Sequence, residues 1–193
     1  MLTLGILGSG SGTNMQAILD AIQEGKLEAR IAIVLSDNPD AFILERASRN
    51  GIATEVIDCS PHRTKFPDYA QEDAAQKLKK AGCDLICLAG FMRLVKQPLL
   101  NEFPSRIMNI HPSLLPAFPG VAAWEQAIAA NAKETGVTVH LVDEGMDTGP
   151  IILQESLSIH PGETSAVLHK RIQEIEHRIY PKAINLYSQT LIK

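Results

Sequence analysis

Apolar and polar positions along the chain follow two different periods. Short runs of apolar residues, typical of buried strands, alternate with longer segments in which apolar residues recur every three or four positions, as on one face of a helix. Thr13–Glu24 has the helical pattern, with Met15, Ile18 and Ile22 on one face. Asp84–Ala89 is almost entirely apolar, as expected of a strand inside a parallel sheet.

The order of these segments predicts the fold class. The predicted strands are Leu2–Gly8, Arg30–Ser36, Ile52–Ile57, Asp84–Ala89, Arg106–Ile110, Gly136–Val142 and Pro150–Leu157. The predicted helices are Thr13–Glu24, Ala41–Asn50, Pro67–Lys80, Ala122–Ala130 and Ser165–Leu191. Strands that alternate with helices indicate an α/β fold with a mostly parallel twisted sheet and helices on both faces.

The last third of the chain departs from this alternation. The loop between the last two predicted strands is too short for a helical crossover, so these strands are expected to form an antiparallel pair. Pro181 lies inside the final predicted helix and is expected to kink or interrupt it.

Composition narrows the class of protein. A length of 193 residues, with 45% hydrophobic and 21% charged residues, fits one ordinary globular domain. The formal net charge of -4 gives no general attraction for nucleic acid or an anionic membrane, so neither partner is expected. Three cysteines without C-x-x-C spacing argue against a disulfide framework and favour a cytoplasmic, reducing location. The apolar N-terminus has no preceding basic segment and is interpreted as a strand.

A glycine-rich loop follows the first predicted strand. Gly8–Asn14 joins that strand to a helix, and glycines at such a turn let the backbone approach an anion at the helix N-terminus. A dinucleotide fingerprint would need a third glycine where Thr13 stands, and a P-loop would need a lysine. The loop therefore suits a single phosphate. A tight turn without a ligand is the alternative.

A second group of polar residues follows a later strand. Asn109 and His111 are two positions apart, so both side chains lie on one face if the strand persists. Asp147 lies in the loop between the last two strands. An amide to stabilise an oxyanion, an imidazole to transfer protons and a carboxylate to orient it are the parts needed for acyl transfer to an amine.

Two other interpretations of these residues stay open. A histidine beside an asparagine is often structural, and an aspartate in a glycine-rich loop is often a turn residue. A metal site formed by His111, His140 and Asp147 lacks the compact spacing of known zinc motifs. A serine hydrolase is less favoured still, because no G-x-S-x-G motif is present.

Four motifs occur in the order found in a known family. They are Ser9–Asn14, Leu88–Arg93, Asn109–Gly120 and the pair Val139-His140 followed by Asp147–Pro150. In these motifs the chain resembles the glycinamide ribonucleotide formyltransferases, and the resemblance covers essentially the whole sequence. It implies a Rossmann-like formyltransferase fold and 10-formyltetrahydrofolate as co-substrate. The implied reaction is formyl transfer to the amine of a phosphoribosyl glycinamide in purine biosynthesis, without a metal.

The resemblance also implies roles for individual residues. Asn109, His111 and Asp147 match the catalytic residues, and Gly12, Thr13 and Asn14 match those that hold the substrate phosphate. Glu176 matches a glutamate that contacts the ribose and amine end of the substrate. The residues that match the folate cleft are Met92, Arg93, Leu94, Val95, Val142, Asp143 and Glu144. A basic residue near Arg63 or Lys65 is a candidate contact for the folate tail.

The resemblance divides the single domain, residues 1–193, into a phosphate-substrate half, 1–100, and a folate-binding and catalytic half, 101–193. The chain departs from the family at Ala122, where a histidine often follows Pro-Gly-x. We expect a monomer or homodimer that acts on small molecules.

Alternatives to this activity exist within and outside the enzyme class. Transfer-RNA formyltransferases and formyltetrahydrofolate hydrolases share the chemistry, but each is expected to need a second domain for which this length leaves no room. A nucleotide-binding module without catalysis is the other alternative, with Asp37 imitating a ribose-binding acid. The absent third glycine argues against it.

Overall fold

The apolar runs form the strands of one seven-stranded sheet in the computed structural model, which describes residues 1–191. The strands are β1 (Leu2–Leu7), β2 (Ala29–Ser36), β3 (Ala53–Val56), β4 (Leu85–Leu88), β5 (Ile107–His111), β6 (Glu134–Leu141) and β7 (Ile151–Ser158). The helices are α1 (Thr13–Gln23), α2 (Phe42–Arg49), α3 (Asp68–Lys80), α4 (Gln97–Glu102), α5 (Ala123–Ala129) and α6 (Ser165–Leu191).

The order of strands across the sheet is β3-β2-β1-β4-β5-β6-β7. Strands β1 to β5 are parallel, and β6 is antiparallel to both β5 and β7. The predicted fold class, including the antiparallel pair at the C-terminal end, is confirmed. The chain moves outward from β1 to β3 and then returns to β4 on the other side of β1. This reversal opens a crevice at the carboxyl ends of β1 and β4.

Apolar side chains are buried on both faces of the sheet. Leu4 and Ile6 of β1 belong to a core that includes residues of α1, α2 and α6. Leu7 belongs to a second core with residues of α3 and α4, such as Leu78 and Leu99. This alternation explains why the central strands are apolar at nearly every position, since neither face meets water.

Two details of the helices differ from the prediction. Helix α4 was not predicted, because six residues are too few to show a helical period. Helix α6 continues without interruption from Ser165 to Leu191, so the expected interruption at Pro181 is wrong, while the alternative of a kink there stays a prediction. Pro181 is buried, and the packing of its neighbours against the sheet holds the helix where a backbone hydrogen bond is missing.

No helix in the described part of the chain is long and apolar enough to cross a membrane.

Tyr180 joins α6 to the middle of the sheet. Its side chain is fully buried, and its hydroxyl lies 2.9 Å from the carbonyl oxygen of Leu88 and 3.1 Å from that of Met108. These carbonyls belong to the two strands that carry the residues next to the crevice. The hydroxyl therefore fixes the helix relative to the ends of β4 and β5.

We predict that Tyr180→Phe lowers the free energy of unfolding by about 1–2 kcal/mol, because two buried carbonyl groups lose this partner. Tyr187→Phe is the matched control, since the Tyr187 hydroxyl donates to Ser105 in an exposed bond and its loss should cost less than about 0.5 kcal/mol. Urea unfolding of both variants measures the difference. Equal losses would contradict the role given to Tyr180.

Candidate active site

A cleft of about 650 Å³ lies at the strand-order reversal. Its walls come from the loops that follow β1, β4 and β5, from the β6–β7 loop, and from one face of α6. Nearly all of the site residues predicted from the sequence line it. They are Gly12, Thr13, Asn14, Met92, Arg93, Leu94, Val95, Asn109, His111, Val142, Asp143, Asp147 and Glu176.

Asp147 lies at the centre of the polar end of the cleft. One carboxylate oxygen is 3.4 Å from Nδ1 of His111, and the other is 3.6 Å from Nε2 of His140. The backbone N–H of Gly120 donates a hydrogen bond of 2.8 Å to the same carboxylate. The loop bends so that Asp147 itself has a φ of 57°, in the left-handed region. The sequence prediction that this loop reaches His111 is confirmed by these distances.

His111 has an acceptor beside each ring nitrogen. Nε2 is 2.9 Å from the carbonyl oxygen of Phe118, which can only accept, so Nε2 carries the proton in this bond. Nδ1 faces the carboxylate of Asp147. A ring protonated at both nitrogens satisfies both neighbours. The side chain is buried, and its orientation is fixed from both sides.

Asn109 contacts a histidine on the neighbouring strand. In the antiparallel register of β5 and β6, Asn109 lies opposite His140, and its Nδ2 is 3.2 Å from Nε2 of that ring. Nδ1 of His140 is 2.8 Å from the carbonyl oxygen of Leu141 and donates to it. At most one amide N–H of Asn109 points at this ring, which leaves at least one N–H for another acceptor.

Asp147 is ionised across the neutral range. Burial raises the pKa of its carboxyl group, but the hydrogen bond with His140, the Gly120 N–H and the charges of His111 and His140 together hold that pKa below its usual value. A fixed negative charge therefore lies between two imidazole rings.

Glu176 and Asn14 form a second polar pair in the cleft lining, in which Glu176 is buried and Asn14 is half-buried. Nδ2 of Asn14 donates to Oε2 of Glu176 over 3.1 Å. Burial raises the pKa of Glu176 to about 7, and the hydrogen bond from Asn14 opposes this rise. Oδ1 of Asn14 is buried and has no hydrogen-bond partner among the described residues. A buried acceptor without a donor is costly, so this atom marks a place where a ligand can donate.

The glycine-rich loop packs closely at Gly12, which caps α1 with a φ of 74°. A Cβ atom there would lie 2.8 Å from the Cα atom of Ile43 at the start of α2. No side chain caps α1, so its first backbone N–H groups remain available to an anion.

Arg93 and Asp37 form an ion pair beside the cleft. Nε of Arg93 is 2.5 Å from Asp37, and the two side chains are only 8% and 9% exposed. Asp37 also accepts from Ser9, and Arg93 donates to the carbonyl oxygens of His62 and Lys65. Asp37 is therefore already paired, which argues against the interpretation of this residue as a ribose-binding acid.

At three positions the structure differs from what the sequence predicted for the cleft or for a helix start. Glu144 does not line the cleft, because its carbonyl accepts from Lys96 and its carboxylate from Gln97 outside it. Of the 63–65 segment only Thr64 lines the cleft. Ala122 does line it and caps α5 with a φ of 54°, so it precedes the helix rather than beginning it.

Several residues of the site were missed or undervalued in the sequence. His140 was considered only as a metal ligand, although its place on the strand next to Asn109 could have indicated contact. The backbone groups of Phe118 and Gly120 carry no sequence signal. Trp124 and His169 stack in the cleft wall with ring centroids 3.8 Å apart, a contact between distant segments that no local pattern reveals.

Within residues 1–191, no three His, Cys, Asp or Glu side chains are grouped so that they could hold a metal ion. The expectation that the reaction needs no metal stays a prediction.

Comparisons with known proteins agree with this geometry. Residues 3–184 match the formyl transferase family. A phosphoribosylglycinamide formyltransferase of Bacillus subtilis is 39% identical over 184 residues, which cover 95% of this chain and 93% of that protein. The crystal structure of glycinamide ribonucleotide transformylase 1 from Symbiobacterium toebii has a TM-score of 0.93 and 49% identity, covering 98% of this chain and 89% of that one.

Longer relatives contain the same unit. The trifunctional purine biosynthetic protein adenosine-3 of Drosophila melanogaster is 41% identical over 181 residues, which are 93% of this chain but 13% of that protein. The match to the family over most of the chain, together with the full-length relative, fixes the relationship. The chain belongs to the formyl transferase family.

Proposed function

We propose that this chain transfers the formyl group of 10-formyltetrahydrofolate to the amine of 5-phosphoribosylglycinamide, in de novo purine biosynthesis. The observation that carries the proposal is the polar end of the cleft, where Asn109, His111 and Asp147 meet within one site in a chain that is 39% identical to a named formyltransferase. Membership of the formyl transferase family supports formyltetrahydrofolate as the co-substrate.

The reaction needs an oxyanion to be stabilised. The amine nitrogen of the substrate attacks the formyl carbon, and the carbonyl oxygen becomes negatively charged. The free amide N–H of Asn109 and the imidazole of His111 are the donors for this oxygen. When the carbon–N10 bond breaks, the proton lost by the amine is gained by N10 of tetrahydrofolate, so protons balance.

His111 and Asp147 move and hold the proton. In the structure, Nε2 of His111 donates to the Phe118 carbonyl. To contact the substrate, Nε2 of His111 must therefore give up its hydrogen bond to Phe118 and donate to the reacting formyl group instead. Asp147 keeps the ring in place through Nδ1 and balances its positive charge.

The two substrates occupy different walls of the cleft. Gly12, Thr13 and Asn14 hold the phosphate with backbone N–H groups, while Glu176 and the unpaired Oδ1 of Asn14 accept from the ribose and amine end. The folate ring lies between Met92–Val95 and Val142–Asp143, which line the cleft.

The direct test of the activity is an assay of purified protein with 10-formyltetrahydrofolate and 5-phosphoribosylglycinamide. We expect tetrahydrofolate and the N-formyl product in equal amounts. Tetrahydrofolate with free formate instead would indicate a hydrolase and would contradict the proposal.

We predict that Asn109→Ala and His111→Ala each lower kcat by about 100- to 1000-fold, the usual cost of losing one oxyanion donor. Both KM values should change little, because the donors act mainly on the charge that develops in the transition state. Steady-state kinetics measures this, and thermal unfolding checks that both variants fold. Turnover close to that of the wild type in either variant would refute its assigned role.

We predict that Asp147→Asn lowers kcat by at least about 10-fold throughout pH 5–9, because the charge opposite His111 is lost. The lowered pKa of Asp147 means that the wild-type carboxylate is already ionised over this whole range, so a change of the ratio with pH would come from His111, which loses its counter-charge in the variant. A ratio that approaches one at either end of the range would argue against a charged role.

We predict that Glu176→Gln stabilises the protein more at pH 8 than at pH 5. The folded pKa of Glu176, about 7, lies above the unfolded value near 4.5, so the wild type loses stability as pH rises between these values. Glutamine cannot ionise, and the difference should grow by at most about 1.4 kcal/mol per pH unit. Urea unfolding at both pH values measures the difference in free energy of unfolding between the variant and the wild type. An equal difference at pH 5 and pH 8 would contradict the raised pKa of Glu176.

The same substitution tests substrate binding. We expect KM for 5-phosphoribosylglycinamide to vary with pH near 7 in the wild type and to lose that variation in Glu176→Gln. The KM for the folate should be unaffected, since Glu176 lies on the other wall.

A further inference from the structure

The lining of the cleft is short of positive charge. Asp143, Asp147 and Glu176 contribute carboxyl groups, whereas Arg93 is the one arginine or lysine among the described lining residues, and Asp37 already neutralises it. A phosphate monoester carries close to two negative charges at neutral pH. Backbone N–H groups and the dipole of α1 supply only partial charges. A full positive charge near the loop of Gly12–Asn14 would therefore strengthen the binding of the phosphate.

Arg46 lies directly behind that loop. It is on α2, and its Nε donates a hydrogen bond of 2.7 Å to the carbonyl oxygen of Ser11. The guanidinium carbon also lies 4.8 Å from the centre of the Phe42 ring, which holds the group against the loop. The start of α2 is itself joined to the loop by a bond from the Ile43 N–H to the Gly10 carbonyl.

The hydrogen bond from Arg46 to the Ser11 carbonyl can affect phosphate binding on the other side of the loop. The peptide between Ser11 and Gly12 is trans, so its carbonyl oxygen and its N–H point in opposite directions. A guanidinium bound to the carbonyl polarises the peptide and makes the Gly12 N–H a stronger donor on the other side. The positive charge of Arg46 acts across the same peptide.

We propose that Arg46 is a positioning residue for the phosphate group of the substrate, acting through the Ser11–Gly12 peptide and through its charge. The inference rests on the proposed function, because it uses the phosphate site of Gly12–Asn14. It adds a residue that lies outside the cleft lining and that no motif of the sequence indicated.

The test compares Arg46→Gln with Arg49→Gln. Arg49 lies one turn further along the same helix, pairs with Glu45, and has no hydrogen bond to the loop within residues 1–191. Both variants remove one positive charge from α2, and surface changes of this kind usually alter stability by less than about 0.5 kcal/mol. Thermal unfolding without ligand verifies that both fold.

For Arg46→Gln we expect about a 3- to 10-fold rise in KM for 5-phosphoribosylglycinamide and in the Kd for inorganic phosphate, the scale of one screened charge near a protein surface. The kcat and the KM for the formyl folate should stay within about twofold, as should every parameter of Arg49→Gln. Arg46→Lys, which keeps the charge, should bind phosphate more tightly than Arg46→Gln. The gap between wild type and Arg46→Gln should narrow at higher salt.

Three results would overturn the proposal. They are phosphate affinity in Arg46→Gln equal to that in Arg49→Gln, equal impairment by glutamine and lysine at position 46, and an equal rise in KM for both substrates. The phosphate titration needs no turnover, so its result is independent of the activity assay. Absence of formyl transfer by the wild type would count against the proposed function, whereas unchanged phosphate affinity would count against Arg46 alone.

Discussion

The site depends on the reversal of strand order between β1 and β4. Connections from these two strands leave toward opposite sides of the sheet, so no crossover covers the space between their carboxyl ends. Every wall of the cleft is built around that gap. The glycine-rich loop follows β1, the Met92 segment follows β4, and α6 crosses behind both, held by the Tyr180 hydroxyl on the two strands. The crevice thus follows from the order of the strands and does not depend on which side chains line it.

The antiparallel strand β6 places His140 beside Asn109 and is followed by a short loop that carries Asp147 to the same site. Because β6 runs against β5, His140 lies opposite Asn109, and the chain then returns through a short loop that brings Asp147 to both imidazoles. A parallel neighbour would have needed a long crossover before its next polar residue reached the site. The change of direction therefore brings the amide, two rings and a carboxylate together at one end of the cleft.

Local patterns predicted the sheet, the glycine-rich loop and the group of Asn109, His111 and Asp147, whereas the resemblance to a family indicated Glu176 and the folate-cleft residues. Apolar runs mark strands buried on both faces, and glycines mark the loop for which we propose a phosphate. Features that depend on distant contacts were not predictable in this way. The six residues of α4 are too few to show a period, Pro181 is tolerated through packing of its neighbours, and the Arg93–Asp37 pair joins residues far apart in the chain. The pairing of Glu144 outside the cleft depends on Lys96 and Gln97 in the same way.

The backbone around the cleft explains the rest of the site. Phe118, Ala122 and Asp147 all have φ values near 55°, in the left-handed region that side chains other than glycine adopt at a cost of about 1 kcal/mol or more each. The first of these bends gives the loop a course on which the Phe118 carbonyl reaches His111 and, two residues later, the Gly120 N–H reaches Asp147. One short segment thus presents an acceptor to the imidazole and a donor to the carboxylate. Main-chain groups cannot be exchanged by substitution, so the conformation of this segment, rather than its side chains, sets the electrostatics of the pair.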